Sequence, residues 1–191
     1  MGLFDSLLGR RKLKAPAPDR LFALTTTAID LEASHGITSG GAAAIVFQPL
    51  ASGEFQQIVA EVEEVLRGTG EETGSTVEQH VDDFGYRWTI VRDPDVDDLV
   101  VGLNAVGEQL QLAGFGDRLL CAVFAFRDDA TRGSIYFIYN YKRGAWYPFV
   151  PAGGAQQRNN ERELQVRAML PASFPVEPEL ERWFPLWGIP I

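Results

Sequence analysis

Residues 134–141 read SIYFIYNY, and this run constrains the fold more than any other stretch of the chain. In an extended chain Ile135, Phe137, Tyr139 and Tyr141 point to one side, and Tyr136 and Ile138 to the other. A strand with bulky groups on both sides needs a covering layer on each face, unlike a strand with one wetted face. Helices of the same chain are the simplest cover, and a partner protein is the alternative.

The flanking sequence places this strand in an antiparallel meander. Residues 119–126 are strand-like and lead into the turn Asp128–Gly133, and residues 146–150 follow the turn Lys142-Arg143-Gly144. A second pair, 76–81 and 86–91, reads as a hairpin around Asp82-Asp83-Phe84-Gly85, with Gly85 at positive φ. Residues 42–47 form a further strand after Gly40-Gly41.

Helical spacing occupies the gaps. Leu21, Leu24, Ala28 and Leu31 define a helix from an Asp19 N-cap to His35-Gly36. Phe55, Ile58, Val59, Val62, Val65 and Leu66 form the stripe of an amphipathic helix whose other face carries Glu54, Glu61, Glu63 and Glu64, with a polar loop at 68–74. Asp93-Pro94 supplies an N-cap and first position for a helix with Val96, Leu99, Val100, Leu103, Val106 and Leu110 on one face. Residues 160–169 read as a helix capped by Asn159 or Asn160, although Leu164, Val166, Ala168 and Leu170 also alternate as in a strand. The fold class is therefore α+β, a largely antiparallel sheet with helices packed on it.

The segment Lys14-Ala-Pro-Ala-Pro18 resists helix and favours an extended spacer. It divides the chain into a tail and linker, 1–18, and a single domain, 19–191. Residues 1–14 carry +3 while the chain carries -9, leaving -12 for the remainder. The tail joins Leu3, Phe4, Leu7 and Leu8 to Arg10, Arg11 and Lys12, a basic amphipathic stretch suited to a partner or an anionic membrane surface. The acidic body repels phosphate backbones, so nucleic acid is not expected as a partner. No apolar run approaches the ~20 residues of a membrane span, which points to a cytoplasmic protein, at most peripheral to the inner face of the membrane.

No constellation of residues signals a reaction. The two histidines, His35 and His80, are isolated, and Cys121 sits in an apolar strand, so neither a metal cluster nor a nucleophilic triad is expected. Asp83-Phe84-Gly85 lacks the other elements of a kinase, and Gly114-Phe115-Gly116 follows a helix where a dinucleotide turn would follow a strand. No cofactor is expected. An enzyme of unrecognised type would need His80, Asp82, Arg87 and Tyr139 to converge.

Aromatic residues suggest a second candidate surface: Tyr136, Tyr139, Trp146, Tyr147, Trp183 and Trp187. For residues 183–187 closure of the core is the favoured reading and a partner anchor the alternative. The start Met1-Gly-Leu-Phe-Asp-Ser-Leu-Leu-Gly9, the segment Arg143-Gly-Ala-Trp-Tyr-Pro-Phe149 and the ending Leu180-Glu-Arg-Trp-Phe-Pro-Leu-Trp-Gly188 together resemble the PspA-associated protein PspAB family. The resemblance implies a bacterial or archaeal protein linked with phage-shock protein A, a peripheral membrane protein of the envelope-stress response, and implies no catalytic residues. The order of elements is also similar to that of type III secretion chaperones and YbjN-like modules, which present a sheet and helices to partners. The resulting expectation is a non-catalytic adaptor that binds a PspA-like protein. The alternative is a chaperone-like homodimer that holds a client on an exposed apolar patch near 136–147.

Overall fold

The computed structural model describes residues 20–153 and 156–191, so the 1–18 tail and linker and the Asp19 cap lie outside the described residues. Among them, six strands form one antiparallel sheet, and four α-helices accompany it. The strands are β1 (Ile37–Phe47), β2 (Thr76–Val81), β3 (Arg87–Arg92), β4 (Leu119–Asp128), β5 (Gly133–Asn140) and β6 (Ala145–Phe149), and the helices are α1 (Ala23–His35), α2 (Gly53–Thr73), α3 (Val96–Leu112) and α4 (Asn160–Met169). The sheet order is β2-β3-β1-β4-β5-β6. Both expected hairpin systems are present, the β2–β3 pair and the β4–β5–β6 meander, and β1 joins them at the centre.

Local chemistry explains most boundaries. Gly36 at φ 61° ends α1, with its N–H on the Glu32 carbonyl. Gly85, at φ 81°, supplies the turn between β2 and β3. Asn159 caps α4 by accepting from Arg162 N–H at 3.0 Å, and the helix buries Val166 while leaving Leu164 exposed, so the helical reading of this segment holds.

Three boundaries differ from the sequence expectation. The strand expected from Ala42 starts at Ile37, because Gly40 and Gly41 form a bulge inside β1 instead of a turn before it. A Cβ on Gly40 would lie 3.0 Å from the Ala125 carbonyl, so close approach to β4 explains the glycine. The expected loop at 68–74 is instead the last turn of α2, which runs to Thr73 and stops at Gly74, φ 93°. Finally, Asp95 caps α3, accepting from Asp97 N–H at 2.8 Å, because Asp93 is occupied by the Ser75 hydroxyl and the Asp95 N–H.

Two apolar layers follow from the alternation along the strands. One face of the sheet, with Ile45, Phe124, Phe137, Tyr139 and Trp146, packs on the helices. The other face, with Val46, Ile90, Val123, Ile138, Tyr147 and Phe149, packs with Trp183, Leu186, Trp187, Ile189 and Ile191. Residues 171–177 run back along the β6 edge, where Trp146 N–H donates to the Pro175 carbonyl and Glu177 N–H to the Trp146 carbonyl, each at 2.8 Å. The chain then crosses the outer face, where the Tyr147 hydroxyl donates to Phe184 O (3.0 Å) and the Tyr136 hydroxyl to Ile191 O (3.1 Å).

Two carboxylates fasten α4 and this C-terminal cover. Glu163, 2% exposed, accepts from Arg158 Nη2 at 2.6 Å and from Val150 N–H at 3.0 Å, while Arg158 Nη1 donates to Trp183 O at 2.7 Å. At the same end of the meander, beside the β4–β5 turn, Arg162 holds Asp128 at 2.8 Å. Burial pushes the Asp128 carboxyl up, but the Thr131 hydroxyl, Arg162 and the Ala130 N–H together hold it below its ordinary value. Removing one partner of a buried pair strands the other. Glu163→Ala should therefore cost about 3–5 kcal/mol in urea unfolding and shift tryptophan fluorescence to the red as Trp183 loosens; a loss under about 1 kcal/mol would show that the clamp is dispensable.

Candidate functional site

The seven tail residues, Leu3, Phe4, Leu7, Leu8, Arg10, Arg11 and Lys12, lie outside the described residues. The six aromatic candidates are divided between the two layers. Tyr139 and Trp146 lie in the helix-side core, with ring centroids 5.1 Å apart, and the Trp146 Nε1–H donates to Arg20 O at 2.7 Å. Tyr147 and Trp183 stack at 6.2 Å in the opposite layer, with Tyr136 and Trp187 half-buried beside them. Burial pushes the Tyr136, Tyr139 and Tyr147 hydroxyls above their ordinary values. The strand 134–141 is thus covered on both sides by the chain's own helices and C-terminal segment, and the apolar patch that a client-holding sheet would present near 136–147 is not exposed.

The four groups an enzyme reading would gather are dispersed. Tyr139 on β5 stands four strands from β2, roughly 19 Å at ~4.8 Å per strand, while His80 is exposed on β2. Asp82 is engaged in its own turn, accepting from Phe84 N–H, Tyr86 N–H and Trp88 Nε1–H. Among the described residues no group of three or more His, Cys, Asp or Glu could hold a metal ion. Nor is any described helix long and apolar enough to cross a membrane.

Cys121 lies in β4, and burial pushes its thiol up to about 12. At pH 8 only about one molecule in ten thousand would hold the reactive thiolate. A chromogenic disulfide reagent should find no reactive thiol at pH 8 in the native protein and one in denaturant; fast reaction of the native form would place Cys121 at the surface.

Of the concave features among the described residues, two bear on function. A cleft of about 600 Å³ at the start of α1 is lined by Arg20, Arg143 and Arg182 with Glu177 and Glu179. Its guanidiniums are committed: Arg143 to Glu177, Arg182 to Glu179 at 2.6 Å, and Arg20 to the Gly144 carbonyl at 2.9 Å. This cleft reads as the fastening of residues 171–183 to the domain. The second is a groove of about 370 Å³ between α2 and α3, with Ile58, Val62 and Leu66 on one wall and Ala105 and Leu112 on the other. Its rim is polar, with Glu61 and Gln109, and Leu112 is 73% exposed. Gly102 faces this helix contact, where a Cβ would meet Leu66 at 3.8 Å and Val91 at 3.7 Å, ordinary van der Waals distances. No motif marks the groove; its only sequence trace is Leu112, an apolar residue beyond the stripe assigned to the helix.

Glu63, on the inner side of α2, is separate from the groove. It accepts from the Thr89 hydroxyl at 3.2 Å and pairs with Arg87 at 3.4 Å, yet burial pushes its carboxyl above the ordinary value against Arg87, Thr89 and Arg67. A carboxyl raised on folding makes native stability fall as pH rises from its unfolded value, about 4.3, through its folded one. Glu63→Gln should therefore be at least as stable as the parent at pH 7, with a difference that shrinks toward pH 4. Urea midpoints across that range check this, and a less stable variant at pH 7 would show that Arg87 outweighs burial.

The fold and its surfaces define an α+β protein with an open six-stranded sheet packed on both faces, an apolar groove with Glu61 on its rim, and no gathered catalytic groups among the described residues. The family model described as PspA associated protein B matches residues 1–191, the whole chain, and the protein belongs to that family. No curated protein and no solved structure matches the chain, so no neighbour supports the expected similarity to type III secretion chaperones and YbjN-like modules.

Proposed function

We propose that the protein is a non-catalytic accessory factor of a PspA-type membrane-stress response, working at the cytoplasmic side of the membrane by binding a PspA-like protein. Membership of the PspA-associated family supports the link to PspA and an accessory role. The observation that carries the binding reading is the division of charge and apolarity. A segment with Leu3, Phe4, Leu7 and Leu8, followed by Arg10, Arg11 and Lys12, is set off by a proline-containing spacer from a body of charge -12. Such a segment is too short to be a stable helix alone and gains one by laying its apolar side on another surface. A PspA-like protein is the leading surface, with an anionic membrane as the second.

Deleting residues 1–14 should leave the circular dichroism of the domain unchanged. It should weaken binding to a purified PspA-like protein or to anionic vesicles by at least about thirtyfold, the effect of losing one anchor worth about 2 kcal/mol. Co-sedimentation and pull-down with both chains measure this. Unchanged binding to both would remove the tail as the contact and move attention to the folded domain.

A further inference from the structure

We propose that the groove between α2 and α3 is the docking site of the chain's own N-terminal segment, residues 2–9, so that the free protein holds this segment against its body. The groove suits a short amphipathic helix in shape. From Ala105 to Leu112 it follows about 10 Å of α3, and Leu3 to Leu8 as a helix would be about 8 Å long, with four apolar side chains on one side.

Charge selects the occupant. Over its length α2 carries six carboxylates against the single Arg67, and α3 carries Asp97, Asp98 and Glu108 with no basic residue. Glu54, Glu61, Glu64 and Glu108 are exposed. This layer repels an anionic lipid surface or an acidic protein and attracts an apolar segment followed by Arg10, Arg11, Lys12 and Lys14.

Reach permits docking within one chain. Arg20, where the described chain begins, is held at the β5–β6 turn by its hydrogen bond to the Gly144 carbonyl, 2.9 Å. In the same region the Tyr141 hydroxyl would lie 3.1 Å from a Cβ on Gly107, in the half of α3 that lines the groove. The residues between Gly9 and Arg20 span up to about 36 Å when extended, more than the roughly 20 Å of two packed-helix spacings from α1 across α3 to α2. A tether of this length gives an effective concentration of order 1 mM, so an intrinsic dissociation constant of about 0.1 mM already leaves roughly nine in ten molecules docked.

Docking uses the apolar side chains invoked above for partner binding, so the segment must leave the groove before it meets a partner; this consequence rests on the function proposed there. The docking itself is tested in the full-length protein alone, with Phe4 replaced by the photoreactive p-benzoyl-phenylalanine. Irradiation should give intrachain cross-links to residues 58–66 and 105–113, at a yield independent of protein concentration. Leu112→Asp, at an exposed position, and Glu61→Lys should each reduce the yield severalfold while circular dichroism stays unchanged. Cross-links elsewhere, yields indifferent to both variants, or interchain products that vanish on dilution would overturn the proposal, the last by giving the groove to a second copy. In a separate arm, Leu112→Asp should bind phosphatidylglycerol-containing vesicles up to about tenfold more tightly, because a docked fraction of nine-tenths no longer competes. That arm bears only on the function proposed above, so failure of docking and failure of that function are told apart.

Discussion

The carboxylate of Glu163 joins three parts of the chain, and the closure of the outer sheet face depends on it. One oxygen takes the Val150 N–H just past β6, both take Arg158, and Arg158 extends the connection to the Trp183 carbonyl. The guanidinium also lies 5.7 Å from the Phe149 ring centroid. A desolvated ion pair persists only where its remaining hydrogen-bonding capacity is satisfied, and here that capacity is filled by the segments the pair connects. Glu177 repeats the device at the β6 edge with Arg143 and Arg182. Beyond these two anchors residues 183–191 lie over the sheet, held by the Tyr147 hydroxyl at Phe184 O and the Tyr136 hydroxyl at Ile191 O, with Trp183 and Trp187 packed on that face.

That closure decides where binding surface is left. A sheet with apolar side chains on both faces has one layer of helices and one extended segment, and together they hide most of its aromatic area. The α2–α3 groove is a product of how the helices meet. The short Ala105 side chain leaves a depression between Leu66 and Leu112. An apolar depression with an acidic rim favours a basic amphipathic helix over a lipid surface, and the chain carries such a segment at its own start.

The distribution of charge follows the same division. Arg87, Arg143, Arg158, Arg162 and Arg182 of the body are each paired with a carboxylate. By sequence α2 and α3 carry nine carboxylates against the single Arg67, and the surplus of basic charge lies in residues 10–14. On the function proposed above, this arrangement gives residues 1–14 and the acidic remainder of the chain opposite preferences for charged surfaces.

Local interactions made much of the architecture legible in the sequence. The alternation in 134–141, the stripe of α3, the Asn159 cap and the Gly85 turn each depend on neighbours a few residues apart, and each reads correctly from spacing. So does core closure by Trp183, whose indole is 3% exposed. Tertiary contacts decided the remainder. Gly40-Gly41 looks like the limit of a strand until β4 is laid beside it, and residues 68–73 look like a loop until a helix is built to Gly74. The place of β1 between β3 and β4, the segregation of Tyr139 and Trp146 from Tyr147 and Trp183, and the α2–α3 groove depend on residues tens of positions apart. Periodicity carries information only over a few turns or a strand length, whereas these features arise from which apolar faces meet when the whole chain is closed.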